Sequence, residues 1–293
     1  VSRSDIVSVP LRFGGRVVAE DRALVMGIVN RTPLSDAGAT YAEGVALEAV
    51  DKAVEDGADI VDIDGVQAGA GDVVDVAEEV RRVVPFVATV RSRHPDLVIS
   101  VHTWRAEVGR LACAEGADLL NDSWAGADPR LAEVVAEFGV VVCCSPTGGA
   151  APRTPPRRTY QADVVTEVLA ELVKRAERMA ELGVPEQRIL IAPTYDLGKN
   201  SRYGLALLRR SDELVAAGWP VLMALADEDF MDDTLGVGLS QRGEGTLAAT
   251  ALAASTGVRV FRAPDVRGTR RTVEMVASIV GTRPPSGCVR ALV

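Results

Sequence analysis

Histidine is almost missing from this chain: His94 and His102 are the only two in 293 residues. A histidine-rich metal centre is thereby excluded. Cysteine is nearly as scarce. Cys113, Cys143, Cys144 and Cys288 are spaced neither as a zinc motif nor as a small disulfide scaffold. They read as reduced thiols, so the expected location is the cytoplasm. No apolar run is long enough to span a bilayer and no stretch reads as a signal peptide, so no membrane partner is expected. Lysine is limited to Lys52, Lys174 and Lys199, against 29 arginines. Positive charge is thus carried by planar groups suited to anions. Acids still outnumber bases, 41 to 32, for a net charge of -9. That balance excludes a broad nucleic-acid surface. No G-x-G-x-x-G follows the first apolar run, which leaves a dinucleotide fold little support.

What the chain does have is a repeating unit. ALVMGIVN, 23–30, is a short apolar run ending in a polar residue, followed by a polar, turn-rich loop and a helical stretch from about Tyr41. That shape suits a buried strand opening into a ligand loop. Further strands are predicted at 59–63, 97–101, 117–121, 140–144, 188–192, 220–225 and 258–262, each followed by a helical pattern. The second helical region divides on either side of Pro85, and a single helix is expected over 202–217. Alternating strands and helices imply parallel pairing with right-handed crossovers. Eight such units in under 300 residues predict an α/β fold, a closed (β/α)8 TIM barrel, with a doubly wound sheet as the competing class. One domain, 1–293, is expected: a small N-terminal β-hairpin around Gly14-Gly15 at about 6–18, the barrel at about 23–280 and a short tail at 281–293. The hairpin would plug the bottom of the barrel or pack beside it.

Chemistry in this fold belongs to the C-terminal ends of the strands. The residues to weigh there are Asn30, Asp62, Asp64, His102, Asn121, Asp122, Asp227, Glu228 and Arg262, with Lys199 in the loop after strand 6. Asp62 and Asp64, two apart, fall on the same side of their strand. The long loop after strand 5, 145–160, carries Arg153, Arg157 and Arg158; it reads either as a lid bringing positive charge or as an exposed proline-rich loop.

The strand tips resemble those of dihydropteroate synthase, a pterin-binding barrel enzyme. MGIVNRTP at 26–33, GADIVDIDG at 57–65, VISVHT at 98–103, GADLLND at 116–122, Gly198-Lys199 and FRAPDV at 261–266 match that family's segments in order. VNRTP, TWRAEV, the TGGA loop and GEGTLAATALAA resemble in particular a diverged second copy found in some actinobacteria. The resemblance implies a role in folate biosynthesis, where a pterin pyrophosphate condenses with p-aminobenzoate and magnesium and cations steady the leaving group. Asn30 then matches the residue near metal and pyrophosphate, Arg262 the pyrophosphate grip, Asn121 a pterin amide and Asp62 the second-strand acid. Elsewhere the pattern departs. His102 and Ala192 stand where the family has aspartates; Ala226, Asp227 and Glu228 stand where it has serine, arginine and lysine; Pro264 replaces a histidine. Two cations become two anions where pterin and aminobenzoate should sit, which argues against the parent reaction.

Three functions follow. The first is a diverged transferase or condensing enzyme with an altered substrate, phosphorylated or otherwise anionic. In it His102 works with Asp64 or Asp122 as base and orienting acid, and Asn30, Asp62, Asn121, Lys199, Asp227, Glu228 and Arg262 bind substrate. Magnesium, near Asn30, would come with a phosphorylated substrate. The second is the parent synthase. The third is a non-catalytic binding or partner protein, with a collapsed mouth or with Arg262 paired to Asp227 or Glu228 so that the anion site is filled. Separately, His102 could merely fill space and the acids at 227–233 form a solvated loop. The resemblance also implies a homodimer, through helices near the end of the chain.

Overall fold

Every apolar run of the repeating unit becomes a parallel strand, and every helical pattern packs outside it. The computed structural model describes residues 9–32, 43–66, 71–122, 124, 126–146, 151–154, 160, 162–195, 200–226 and 228–287. The first half runs β1 (Leu24–Asn30), α1 (Glu43–Glu55), β2 (Ile60–Asp64), α2 (Val76–Arg93), β3 (Val98–His102), α3 (Ala106–Ala114), β4 (Leu119–Asp122) and α4 (Leu131–Phe138). The second runs β5 (Val141–Cys144), α5 (Val164–Glu181), β6 (Ile189–Ile191), α6 (Ser201–Arg209), α7 (Ser211–Ala216), β7 (Leu222–Ala224), α8 (Asp229–Leu235), α9 (Gly243–Thr256), β8 (Val260–Ala263) and α10 (Val266–Val280).

The sheet order is β6-β5-β4-β3-β2-β1-β8-β7. A parallel bridge between Ile191 and Val221, with the Ile191 amide donating to Pro220 at 2.9 Å, brings the two edges together. This is the expected (β/α)8 barrel, nearly closed. Strand alternation divides the core in two. Leu24, Met26, Ile60, Val98, Leu119, Val141, Cys143, Leu190, Leu222 and Val260 fill the barrel interior. Val25, Val61, Ile99, Leu120, Val142, Ile191, Met223 and Phe261 face the helices. Full burial of each such side chain stabilises the fold by roughly 1.5–3 kcal/mol.

The N-terminal hairpin plugs the bottom. Phe13 and Arg16 form an antiparallel bridge around Gly14-Gly15, where Gly14 takes a left-handed φ of +60° that a side chain would disfavour. Leu11 and Phe13 join the interior cluster, and Arg16 Nε donates to Asp118 at 2.8 Å, just before β4. Its expected residues 6–8 lie outside the described residues.

Three local expectations are corrected. α2 runs unbroken through Pro85. Asp75 caps it by accepting from the Glu78 amide, and Val83, Phe86, Val87 and Val90 bury one face. That burial outweighs the roughly 3 kcal/mol an internal proline costs. The single helix at 202–217 is instead α6 and α7, interrupted at Arg210, which leaves helical geometry at ψ 32°. The stretch following Glu228, read as an acidic loop, is the helix α8. Phe230 and Met231 bury its apolar side, and Asp232 pairs with Arg242. Among the described residues no helix is long and apolar enough to cross a membrane.

Candidate active site at the barrel mouth

β2, β3, β4 and β8 each end with inward-facing polar residues. Register places Asp64 opposite His102 and His102 opposite Asn121. The predicted strands 2 and 3 stop one residue early; both run on to include Asp64 and His102. Arg262 reaches from β8 across β1 to β2. Its Nε donates to Asp62 Oδ2 and its Nη2 to Asp64 Oδ2, both at 2.7 Å. Asn121 Nδ2 donates to Asp62 Oδ2 at 3.2 Å, and Ser100 Oγ donates to Asp62 Oδ1. Asp62 is fully buried and takes three side-chain donors, so it anchors the mouth.

Asp64 is shared. Beyond Arg262, its Oδ1 lies 3.1 Å from His102 Nδ1, close enough to pair but out of line for a hydrogen bond. Burial works against charge on Asp64, yet the adjacent Arg262 and His102 hold its carboxyl below the usual range. Burial likewise disfavours charge on His102, and the neighbouring Asp64 carboxylate outweighs it, leaving the imidazole above its ordinary value of 6.5. Burial also opposes the Arg262 cation, but Asp64 and Asp62 more than compensate. Among the described residues His102 Nδ1 and Asp64 Oδ1 are buried atoms that complete no hydrogen bond.

Asp122 does not join this group. Alternation along β4 turns Asn121 inward and Asp122 outward. Its carboxylate accepts from the Trp124 amide at 3.1 Å and the Gly126 amide at 2.6 Å, organising the loop that follows. Burial pushes it up to about 6, against those two backbone donors. It lines an outer cleft of about 660 Å³ with Cys144, Lys174 and Arg175. Asn30 stands at the rim, exposed, with its Oδ1 accepting from both the amide and the hydroxyl of Thr32 at 3.0 and 2.6 Å. With both lone pairs committed, that oxygen is poorly suited to a metal. No group of three or more His, Cys, Asp or Glu able to hold an ion occurs among the described residues. Glu228 is buried at the start of α8; its charge, after burial, adds to the upward push on the Tyr195 hydroxyl. Lys199 and Asp227 lie outside the described residues.

Ser100, Glu79 and the tryptophans escaped sequence reasoning. Ser100 had a signal, since it sits two residues before His102 and so shares its face. Glu79 had none, being one acid in a charged helix. Trp104 and Trp124 meet edge to face with ring centres 6.2 Å apart, and with Val66 they form an apolar cluster on the loops after β2, β3 and β4. Ala192 lies in the apolar interior, so no carboxylate faces the mouth there.

A family model described as pterin binding enzyme matches residues 26–263. The chain belongs to the pterin-binding enzyme family. Within it, the chain is 56% identical over 284 residues to a Mycobacterium leprae protein named inactive dihydropteroate synthase 2, covering 95% of this chain and 98% of the relative. It also resembles the solved structure of Mycobacterium tuberculosis Rv1207, at 47% identity and a TM-score of 0.73, covering 92% and 98% of the two chains. A Xanthomonas albilineans dihydropteroate synthase with 4-aminobenzoic acid superposes with a TM-score of 0.84 at 34% identity, covering 94% and 99%. The chain is thus a diverged, dihydropteroate synthase-like member of the pterin-binding enzymes.

Proposed function

We propose that the barrel mouth binds a small organic molecule and moves a proton on it through His102, and that it does not form dihydropteroate. One observation carries the reading: His102, buried at the mouth, points Nδ1 at Asp64 Oδ1 at 3.1 Å. A carboxylate at Nδ1 favours the tautomer protonated there, so neutral His102 offers Nε2 as a base and the imidazolium offers it as an acid. Asp64 is the orienting partner, itself held by Arg262. A guanidinium has five N–H groups, and Arg262 spends two on Asp62 and Asp64. The remainder can grip an anionic part of the ligand, in keeping with a transfer or condensation that expels an anion. Magnesium would arrive with a phosphorylated ligand, since Asn30 Oδ1 is already engaged.

Loss of the synthase reaction is supported by Ala192 in the apolar interior and by a buried acid at Glu228. The name inactive dihydropteroate synthase 2 given to the mycobacterial relatives agrees with it. A purely binding role has its own support, because the inner edge of Arg262 is already neutralised by two acids. A homodimer is supported by Leu252, Met275 and Ile279, 51%, 61% and 70% exposed on the paired helices α9 and α10.

The test is a thermal-shift panel of pterins, inorganic phosphate, pyrophosphate and arylamine carboxylates, beside a direct assay for dihydropteroate. At least one compound should raise the Tm of the wild type but not of His102→Gln, with no dihydropteroate formed. Rapid dihydropteroate formation would overturn the proposal, as would a panel in which nothing stabilises the protein.

A further inference from the structure

We infer that Glu79, on the outer side of the barrel wall, is a positioning residue for the His102–Asp64 pair; this rests on the proton-transfer reading above. Glu79 is completely buried, an unusual place for a carboxylate on a helix facing apolar strands. Its two oxygens go to different residues of one short segment. Thr103 Oγ1 donates to Oε1 at 2.6 Å, and Arg105 Nη1 donates to Oε2. Thr103 is the residue directly after His102, and its amide also donates to Asn121 at 3.1 Å. Glu79 therefore fixes the backbone on which His102 is mounted. Arg105, held the same way, lies over the Trp104 ring at 4.6 Å.

The same turn of α2 also meets the chain after Asp64. A Cβ on Gly65 would sit 3.2 Å from Glu79 Cγ, 3.6 Å from the Glu79 carbonyl oxygen and only 2.4 Å from Val83 Cγ2. Arg82, between them, donates from Nη1 to the Gly65 carbonyl at 3.0 Å. One helical turn thus braces the residue following each member of the pair. Glu79 comes from α2, outside the barrel wall, and its carboxylate is committed to Thr103 and Arg105. Its effect on His102 passes through the height and twist of the two strand ends, on which a 3.1 Å approach depends.

The two-histidine composition makes this measurable on the full chain. Imidazole 15N spectra would be assigned with His94→Gln and followed through a pH titration. The wild type should show His102 protonated at Nδ1 and titrating above the ordinary histidine value. Glu79→Gln should lower that midpoint by at least half a pH unit and mix the tautomers, with His94 unmoved. Thr103→Val, which keeps the Glu79 charge and removes only the bond, should mix the tautomers as well, separating positioning from loss of nearby charge. Glu79→Asp should recover part of the wild-type pattern. If both Glu79→Gln and Thr103→Val leave His102 unchanged in a folded protein, Glu79 is structural only. If Glu79→Gln does not fold, Thr103→Val alone decides. A wild-type His102 with mixed tautomers and an ordinary midpoint would overturn the proton-transfer reading itself, and this inference with it.

Discussion

Asp62 accepts from Arg262, Asn121 and Ser100 at once; without it the buried Asn121 and Ser100 lose this acceptor and Arg262 keeps Asp64 alone. Asp62→Ala should therefore cost roughly 3–5 kcal/mol, read as a shift in the urea midpoint at constant slope. Asp122 makes a contrasting case, with its carboxyl pushed up to about 6 by burial. The folded state then binds more protons than the unfolded one between about pH 4 and 6, so stability falls as pH rises through that window. Asp122→Asn should flatten the decline, by on the order of 2 kcal/mol between those pH values, although the amide must give up one backbone donor. His102 adds a second decline. Its folded value is raised, so its contribution is complete below 6.5 and disappears as pH climbs through the folded midpoint. Asp64 acts oppositely, because its value is depressed and its contribution is lost on acidification through that lowered range. Asp64→Asn should bring the His102 midpoint down, as read by imidazole NMR.

At the scale of elements, the strands and most helices were legible because apolar runs of four to eight residues and helical periods are local signals. The polar strand ends were legible too: Asp62, Asp64, His102, Asn121 and Arg262 do meet. The failures came from non-local packing. Nothing local in DEDFMDD says that Phe230 and Met231 will be buried and turn an acidic stretch into α8. Nothing near Pro85 says that the buried face around it will carry the helix through. Asp122 was misplaced because a strand end one residue off reverses the direction of a side chain. Two changes test the element-level picture. Gly65→Ala puts a methyl 2.4 Å from Val83 and should cost about 1–3 kcal/mol through overpacking. Asp75→Ala removes the α2 cap and should cost about 1 kcal/mol. Both are read by chemical denaturation, and a small loss at Gly65 would mean that α2 can move away from β2.

For the whole molecule, the ring of strands is uneven. Seven neighbouring pairs are continuous ladders, whereas β6 and β7 meet through the Ile191–Val221 bridge. Amide exchange at Ile191, whose N–H bonds Pro220 across the junction, compared with the ladder amides of β2 and β3 should reveal this, with protection lowest at the β6–β7 junction. Equal protection all round would mean the junction is as firm as the rest.

Arg262 has a mechanical role as well as an electrical one. By bonding two acids on β2 from its seat on β8, it laces three staves together over the top of β1. The vessel is thus buckled on one side and only pinned at the β6–β7 seam. A guest large enough to stretch the rim would spread the pinned side first, and one that drew Arg262 off its acids would undo the buckle. Occupancy of the mouth should then be felt as slackness in a wall the guest never touches.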